Sequence, residues 1–193
     1  MWGNIAIAFL LAFITAFVLT PYTMRLAKKV GAIDIPNDRR INKKPMPRLG
    51  GLAVICGFLV STVYLLIVMN LENSINLFGE DNYWLKLLGF FIGIIILGIT
   101  CFIDDSKGIP SWAKLIAQII AAIVVVACGI RIENINLPFF EDKIWLNDWF
   151  SYILTVCWII GITNAINLID GLDGLSSGIT LISCFSLLII FTL

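Results

Sequence analysis

Two adjacent carboxylates, Asp104 and Asp105, follow one of the most apolar segments of the sequence. The segment 87–103 before them carries no charged side chain, and Lys107 and Lys114 follow shortly after them. Adjacent carboxylates repel each other unless a cation neutralises them, and carboxylates commonly hold Mg²⁺ against substrate phosphates. The alternative interpretation is a solvated helix end. We treat the pair as a candidate site for a metal ion and phosphate oxygens, with the lysines as partners of either.

A second polar cluster recurs at intervals of three residues in "TNAINLIDGLDGLSSG", which spans 163–178. Its members are Asn164, Asn167, Asp170 and Asp173. In a continuous helix each step of three turns back by about 60°, so the four side chains would spread over half of the circumference. Three nearby glycines disfavour an unbroken helix. We therefore expect a helix that carries the two amides and then unwinds, so that both acids point into a common site. Hydrogen bonding of the asparagines between helices is the alternative.

A third cluster is basic. The segment Arg25–Arg48 contains eight of the 13 Lys and Arg residues, and the positive-inside rule makes such a loop cytoplasmic. Taken alone, the loop could be only this orientation signal. Within it, "DIPNDRRINKKPMPRLGG" has three prolines and a closing Gly-Gly pair, which favour an ordered, turning loop over a regular helix.

The helices that position these clusters are predicted from the long apolar segments of the sequence. Hydrophobic residues make up 60% of the 193 residues and charged residues only 13%, whereas soluble domains carry about 25% charged residues. A bilayer core about 30 Å thick requires about 20 helical residues. We predict one all-α integral membrane domain over 1–193. Its six transmembrane helices are predicted near 2–24, 49–71, 86–103, 112–130, 149–169 and 174–193.

Counting helices from the basic loop gives the topology. The N-terminus lies outside, the turns at 104–113 and 170–173 lie inside, and the loops at 72–86 and 131–148 lie outside. Apolar residues alternate imperfectly in the outer segment, which predicts a short β-hairpin near 130–147. All three polar clusters therefore lie on the predicted cytoplasmic side.

The three clusters together suit phosphoryl transfer at a membrane surface. The acids would hold Mg²⁺, and the basic residues would bind a diphosphate. Phosphoryl transfer from a nucleotide-linked donor to a lipid phosphate depends mainly on charge neutralisation and in-line positioning. A transporter is the alternative from another class, but it would place charged residues near the bilayer midplane. Nucleic acid is not an expected partner.

The sequence resembles the polyprenyl-phosphate N-acetylhexosamine-1-phosphate transferases, a glycosyltransferase family 4-like group that includes the lipid I translocase. The resemblance rests on "DIPNDRRINKKPMPRLGG", "FIDDSKGIPSWAKL", "NAINLIDGLDGL" and the helix spacing between them. It is closer to the N-acetylglucosamine branch than to the muramoyl-pentapeptide branch. It implies transfer of N-acetylglucosamine 1-phosphate from UDP-N-acetylglucosamine to undecaprenyl phosphate, with release of UMP. The reaction would start a teichoic acid or O-antigen (lipopolysaccharide) type polymer at the cytoplasmic face of the bacterial plasma membrane.

The resemblance also assigns roles to residues. Deprotonation of the lipid phosphate falls on Asp104 or Asp105, without a decision between them. Asn164 and Asp105 become ligands of Mg²⁺, or of Mn²⁺ in its place. Substrate-binding roles fall on Lys44, Arg48, Lys114, Asn167, Asp170 and Asp173. The implied partners are a UDP-N-acetylhexosamine, a polyprenyl phosphate lipid, the membrane and a second copy in a homodimer.

The sequence departs from the family pattern in two ways. Asn42 stands where members commonly have a histidine, and the chain contains no histidine at all. A later Gly-Asp-x-Gly-Ser block and a His-rich loop of the family are not found in it, and its last residues are apolar. We therefore expect the N-terminal portion of a larger helical bundle that is inactive alone, so an inactive truncated fragment is the main alternative.

Overall fold

The computed structural model describes residues 2–35, 45–72, 82–136, 143–170 and 174–192. These residues form helices with two short strand pairs, which confirms the all-α class. The elements in chain order are α1 (Trp2–Val30), β1 (Ile33–Asp34), β2 (Met46–Pro47), α2 (Gly50–Leu71), α3 (Tyr83–Lys107), α4 (Ser111–Ala127), β3 (Asn134–Ile135), β4 (Ile144–Trp145), α5 (Asp148–Ile169) and α6 (Leu175–Thr192).

Helices of membrane-spanning length account for most of the structure. Within the described ranges, α1, α2, α3 and α5 are long and apolar enough to cross a bilayer by length and composition. The other two helices, α4 and α6, are shorter apolar helices. All six lie where the apolar runs predict helices, and four of them meet the length of a full span. The chain is therefore an all-α membrane protein.

Two helices continue beyond the ends that the apolar runs predict. The first helix, α1, continues past residue 24 to Val30, so that Lys28 and Lys29 lie in its last turn. Positive charges there favour the helix because its C-terminal end is the negative end of the dipole. The third helix, α3, continues past residue 103 to Lys107. Gly108 ends it with a positive φ of 67° and donates its N–H to the Asp104 carbonyl at 2.8 Å, a helix stop that suits glycine.

The chain divides into two compact units, Met1–Ile130 and Arg131–Leu193, and the single domain over 1–193 stays a prediction. In the first unit α1 packs against α2 and α3 packs against α4. Glycines permit close approach: a Cβ placed on Gly57 would lie 2.5 Å from the Ala12 carbonyl oxygen. Small residues at such contacts are typical of packed membrane helices.

The ends of the basic loop form a small structure of their own. Strands β1 and β2 pair antiparallel, with Asp34 opposite Met46, which agrees with an ordered, turning loop. Its middle, 36–44, lies outside the described residues. Ala27, Ala32 and Leu49 are buried together, and Phe102 of α3 packs against them. The two ends of the basic loop are thereby held beside the acidic end of α3.

The second unit contains the other strand pair. Strands β3 and β4 pair antiparallel, with Asn134 opposite Trp145, and confirm the predicted hairpin near 130–147; residues 137–142 lie outside the described part. The hydroxyl of Ser151 donates to the Ile132 carbonyl at 2.6 Å, and the Ile132 N–H donates to the Thr155 hydroxyl at 2.9 Å. The start of the hairpin is thus bound to the first two turns of α5.

Candidate active site

The connection between α3 and α4 brings an acid and a base together. Only Gly108, Ile109 and Pro110 separate the two helices, so the first turn of α4 returns beside the last turn of α3. Asp104 accepts a hydrogen bond from Lys114 Nζ at 2.8 Å through Oδ2. Its Oδ1 accepts from the backbone N–H of Ile109 at 3.2 Å. Both carboxylate oxygens of Asp104 are therefore engaged by donors.

This arrangement places a positive charge against the Asp104–Asp105 pair. The side chains of Lys114 and Asp104 are 19% and 27% exposed, so the ion pair is partly shielded from water and is stronger than a surface pair. An opposite charge and two hydrogen bonds favour the ionised form of Asp104. The lysine also offsets the repulsion that Asp104 would exert on half-buried Asp105. Two carboxylates can therefore lie side by side at the end of an apolar helix.

Arg48, at the end of the basic loop, joins this cluster. Its guanidinium forms an ion pair with Asp34 of β1, and it also interacts electrostatically with the Asp104 carboxylate. The structure therefore joins Lys114 directly to Asp104, with Arg48 near enough for its charge to act on Asp104; the resemblance assigned all three residues to the site. Lys107 is exposed in the last turn of α3. Lys44 lies outside the described residues.

Asp34 is a member of the cluster that the sequence did not reveal. Its side chain is only 15% exposed, and it holds Arg48 across the β1–β2 pair. An acid at the start of a strongly basic loop is the signal that could have pointed to it. The strand register that places it opposite Met46 is what makes the contact.

The second unit carries the amide and acid cluster. Asn164 is half-buried in α5, and its Nδ2 donates to the Ile160 carbonyl at 2.9 Å. Asn167 lies one turn further on and is exposed. The helix ends at Ile169, and exposed Asp170 caps it with its N–H bonded to the Ile166 carbonyl at 3.1 Å. The helix thus ends where unwinding was expected. Asp173 lies outside the described residues, so a common site for both acids stays a prediction.

The donor atoms suit a hard divalent cation. Carboxylate and amide oxygens are the ligands that Mg²⁺ prefers. Among the described residues, no group of three His, Cys, Asp or Glu side chains gathers as a metal site. The Asp104 oxygens are already engaged by Lys114 and Ile109. A cation at this position would share the Asp104 oxygens with these two donors.

Comparisons with known proteins identify the family. The family model described as "Glycosyl transferase family 4" matches residues 87–193. The chain is 37% identical over 179 residues to "Probable undecaprenyl-phosphate N-acetylglucosaminyl 1-phosphate transferase" of Bacillus subtilis, covering 93% of this chain and 46% of the relative. It is 34% identical over 177 residues to "Decaprenyl-phosphate N-acetylglucosaminephosphotransferase" of Mycobacterium tuberculosis, covering 91% and 42%.

A third relative belongs to the other branch. The chain is 28% identical over 183 residues to "Phospho-N-acetylmuramoyl-pentapeptide-transferase" of Staphylococcus epidermidis, covering 91% of this chain and 55% of the relative. The chain thus spans about half the length of the curated relatives it matches. No solved structure gives a significant match. Since the family model matches more than half of the chain, including Asp104, Asp105 and Lys114, the chain belongs to glycosyl transferase family 4.

Proposed function

We propose that the protein transfers N-acetylglucosamine 1-phosphate from UDP-N-acetylglucosamine to undecaprenyl phosphate, releasing UMP. The product would start a cell-envelope polymer of the teichoic acid or O-antigen type. The observation that carries this proposal is the Lys114–Asp104 ion pair beside Asp105 and Arg48, at one end of the first unit. Relatives named for this transfer support it, and the higher identity to them than to the pentapeptide transferase supports N-acetylglucosamine.

The reaction joins one phosphate to another. An oxygen of the lipid phosphate attacks the β-phosphorus of the UDP-sugar, a new P–O bond forms, and the bond from that phosphorus to the bridging oxygen breaks. The leaving group is UMP, which keeps the bridging oxygen. A phosphate monoester has a second pKa of about 6 and is mostly dianionic at pH 7. The demand on an aspartate as a base is therefore small, and positive charge around the phosphates matters more.

The residues of the first unit supply or position the positive charge in different ways. Asp104 holds Lys114 with its ammonium at the end of α3, and we assign it a positioning role. Asp105 keeps the roles that the resemblance implies, as proton acceptor or metal ligand. Arg48, held by Asp34, supplies a second positive group for phosphate oxygens, and Lys44 is assigned to the same task. Arg and Lys are both common phosphate-binding residues.

The second unit contributes the amide and acid cluster to the proposal. Asn167, Asp170 and Asp173 are assigned to the nucleotide-sugar, and Asn164 with Asp105 to Mg²⁺ or Mn²⁺. When bound, the ion would neutralise charge on the diphosphate. A homodimer is a further prediction of the resemblance.

The proposed cytoplasmic position of the site follows from charge. Lys28 and Lys29 lie in the last turn of α1, and neighbouring Ala27 is buried with Leu49 and Phe102. The basic end of α1 and the acidic end of α3 are thus at the same end of the first unit. Because basic residues flank the cytoplasmic ends of membrane helices, we place both at the cytoplasmic face of the plasma membrane.

The test is release of UMP from UDP-N-acetylglucosamine and undecaprenyl phosphate, with Mg²⁺ and with a chelator. It is run on this 193-residue chain and on the product of the longest reading frame that contains it. We expect the longer product to release UMP and Asp105→Asn to reduce the rate about 100-fold or more, about 2.7 kcal/mol of barrier. Glu72→Gln, whose carboxylate pairs with Asn4 at the other end of the unit, should leave the rate unchanged.

Each outcome decides between the candidates. An active longer product beside an inactive 193-residue chain supports the transferase and identifies the chain alone as an inactive portion. Activity in both removes the fragment alternative. No UMP from the longer wild-type product would overturn the proposed reaction, and release of UMP from UDP-N-acetylmuramoyl-pentapeptide instead would correct the donor.

A further inference from the structure

A group of large apolar side chains projects from the corner where β4 leads into α5. We call Ile144, Trp145, Trp149 and Phe150 the aromatic corner. Their exposed fractions are 43%, 70%, 78% and 55%. All four belong to the second unit and none has a role in the proposed chemistry, so their exposure needs an explanation of its own.

Hydrogen bonds fix the depth of this corner relative to α5. Ser151 and Thr155 are 1% and 4% exposed, and both bond to the backbone of Ile132, just before β3. With a rise of 1.5 Å per residue, Thr155 lies about 10 Å along the helix from Asp148. Since α5 is long and apolar enough to span a bilayer, the base of the hairpin lies beside the first two turns of a membrane helix. The start of the hairpin is therefore held at the depth of these turns.

Charged side chains lie next to the aromatic corner, and Trp145 lines one depression together with Arg131, Glu133 and Asp148. Arg131 pairs with Asp148 at 2.8 Å and with Glu133 at 3.5 Å, and its guanidinium lies 5.2 Å from the Tyr152 ring centre. Burial alone would lower the pKa of Arg131, but the carboxylates of Asp148 and Glu133 raise it above the ordinary value. These charges need water or lipid head groups. The corner therefore combines charges suited to head groups with exposed apolar surface suited to acyl chains.

We propose that the β3–β4 hairpin and the first turn of α5 form an interfacial anchor, with Trp145 and Trp149 seated at the boundary between phospholipid head groups and acyl chains. Tryptophan is enriched at this boundary because its ring is apolar and its N–H still finds a polar partner. The occupant of the aromatic corner is phospholipid because the corner lies at the depth where α5 enters the membrane. By the predicted topology, this is the outer leaflet. The inference is independent of the proposed transferase activity.

The test uses tryptophan fluorescence of the whole chain reconstituted in phosphatidylcholine vesicles. The lipids carry bromine either near the head group or near the end of the acyl chain, and bromine quenches nearby indoles. The chain has six tryptophans, so the variants Trp145→Phe and Trp149→Phe are each compared with wild type by difference. Trp158→Phe is the matched control: Trp158 is 61% exposed on the same helix, and it lies about 15 Å from Asp148, near the bilayer centre.

The difference between wild type and each variant gives the emission of the tryptophan that was replaced. For Trp145 and Trp149, we expect bromine near the head group to quench this emission at least about twofold more than bromine near the chain end. For Trp158 we expect the reverse. If Trp145 is quenched by aqueous iodide and by neither lipid, the hairpin stands in water and the proposal fails. If no quencher reaches it, protein covers the corner, through a second copy or another partner, and the proposal fails equally. Should Trp145→Phe not fold, Trp145→Tyr replaces it, with helix content checked by circular dichroism.

Discussion

The polar contacts around the helix ends differ in kind between the two units. In the first, partly buried ion pairs join Lys114 to Asp104 and Arg48 to Asp34. In the second, buried hydroxyls of Ser151 and Thr155 bind the backbone of Ile132, and the ion pairs of Arg131 lie further out, with Asp148 70% exposed. Exposed ion pairs contribute little stability, whereas an unmet buried N–H is costly. The difference is consistent with the two proposals, because the ion pairs of the first unit lie at the proposed active site and the neutral hydrogen bonds of the second unit hold the proposed anchor.

Lys114→Met should have the largest effect on activity. It removes the partner of the Asp104 carboxylate and a positive group from the site, so we expect UMP release by the product of the longest reading frame to fall about 100-fold or more. Lys114→Arg should recover part of the rate. Lys86→Met, at the opposite end of α3 and α4, is the control. An unchanged rate in Lys114→Met would show that the ion pair is structural only.

Asp34→Asn should have a smaller effect that appears in substrate binding. Arg48 loses the carboxylate that orients it, and we expect kcat/KM for the lipid phosphate to fall about tenfold, about 1.4 kcal/mol, mostly through KM. The double variant with Arg48→Gln should lose little more than Arg48→Gln alone, because both act through one group. Additive losses would mean that Asp34 acts independently of Arg48.

Thr155→Val should reduce stability rather than activity. The substitution preserves shape but leaves the Ile132 N–H without its acceptor, at a cost of about 1–3 kcal/mol. Thr163→Val is matched to it, because Thr163 lies on the same helix and donates to the Ile159 carbonyl one turn back. Thermal unfolding in detergent should show a lower midpoint for Thr155→Val alone. Equal shifts would mean that the hairpin bond contributes nothing beyond the helix.

Asp148→Asn should have the smallest effect. Its carboxylate is exposed, so the unfolding midpoint should move less than in Thr155→Val, and the difference from wild type should vanish at high salt. Unfolding is measured at low and at high salt with both variants side by side. A large, salt-independent shift would show that the Arg131 ion pairs hold the hairpin, and that the two units do not differ in the way proposed.

The sequence predicted the parts of this structure that depend on composition and short spacing. Apolar runs located the helices, and the Asp104–Asp105 pair with Lys114 could be assigned to one site because they are close in the chain. The apolar runs did not predict that α1 and α3 continue as helices through charged residues. Such residues are stable in a last turn when they match the helix dipole, as Lys28 does, or form local bonds, as Asp104 does.

Contacts that depend on strand register or on tertiary placement could not be predicted. The Asp34–Arg48 pair exists because β1 and β2 pair in one register. From the sequence, Thr155 is one of several hydroxyl residues in apolar helices. Its hydroxyl is expected to donate to a carbonyl one turn back, and it does so to the Ser151 carbonyl at 2.7 Å. Its second bond, to Ile132, comes from a residue far away in sequence.

The short α3–α4 connection also has a consequence for biosynthesis. Because only three residues join the helices, Asp104 meets Lys114 across a single tight turn, and no later part of the chain is needed for the contact. Contacts of low sequence separation form early in folding. The two helices can therefore enter the membrane as one hairpin whose opposite charges already neutralise each other at its tip. A ribosome that has released little more than α4 would already have produced this corner of the site.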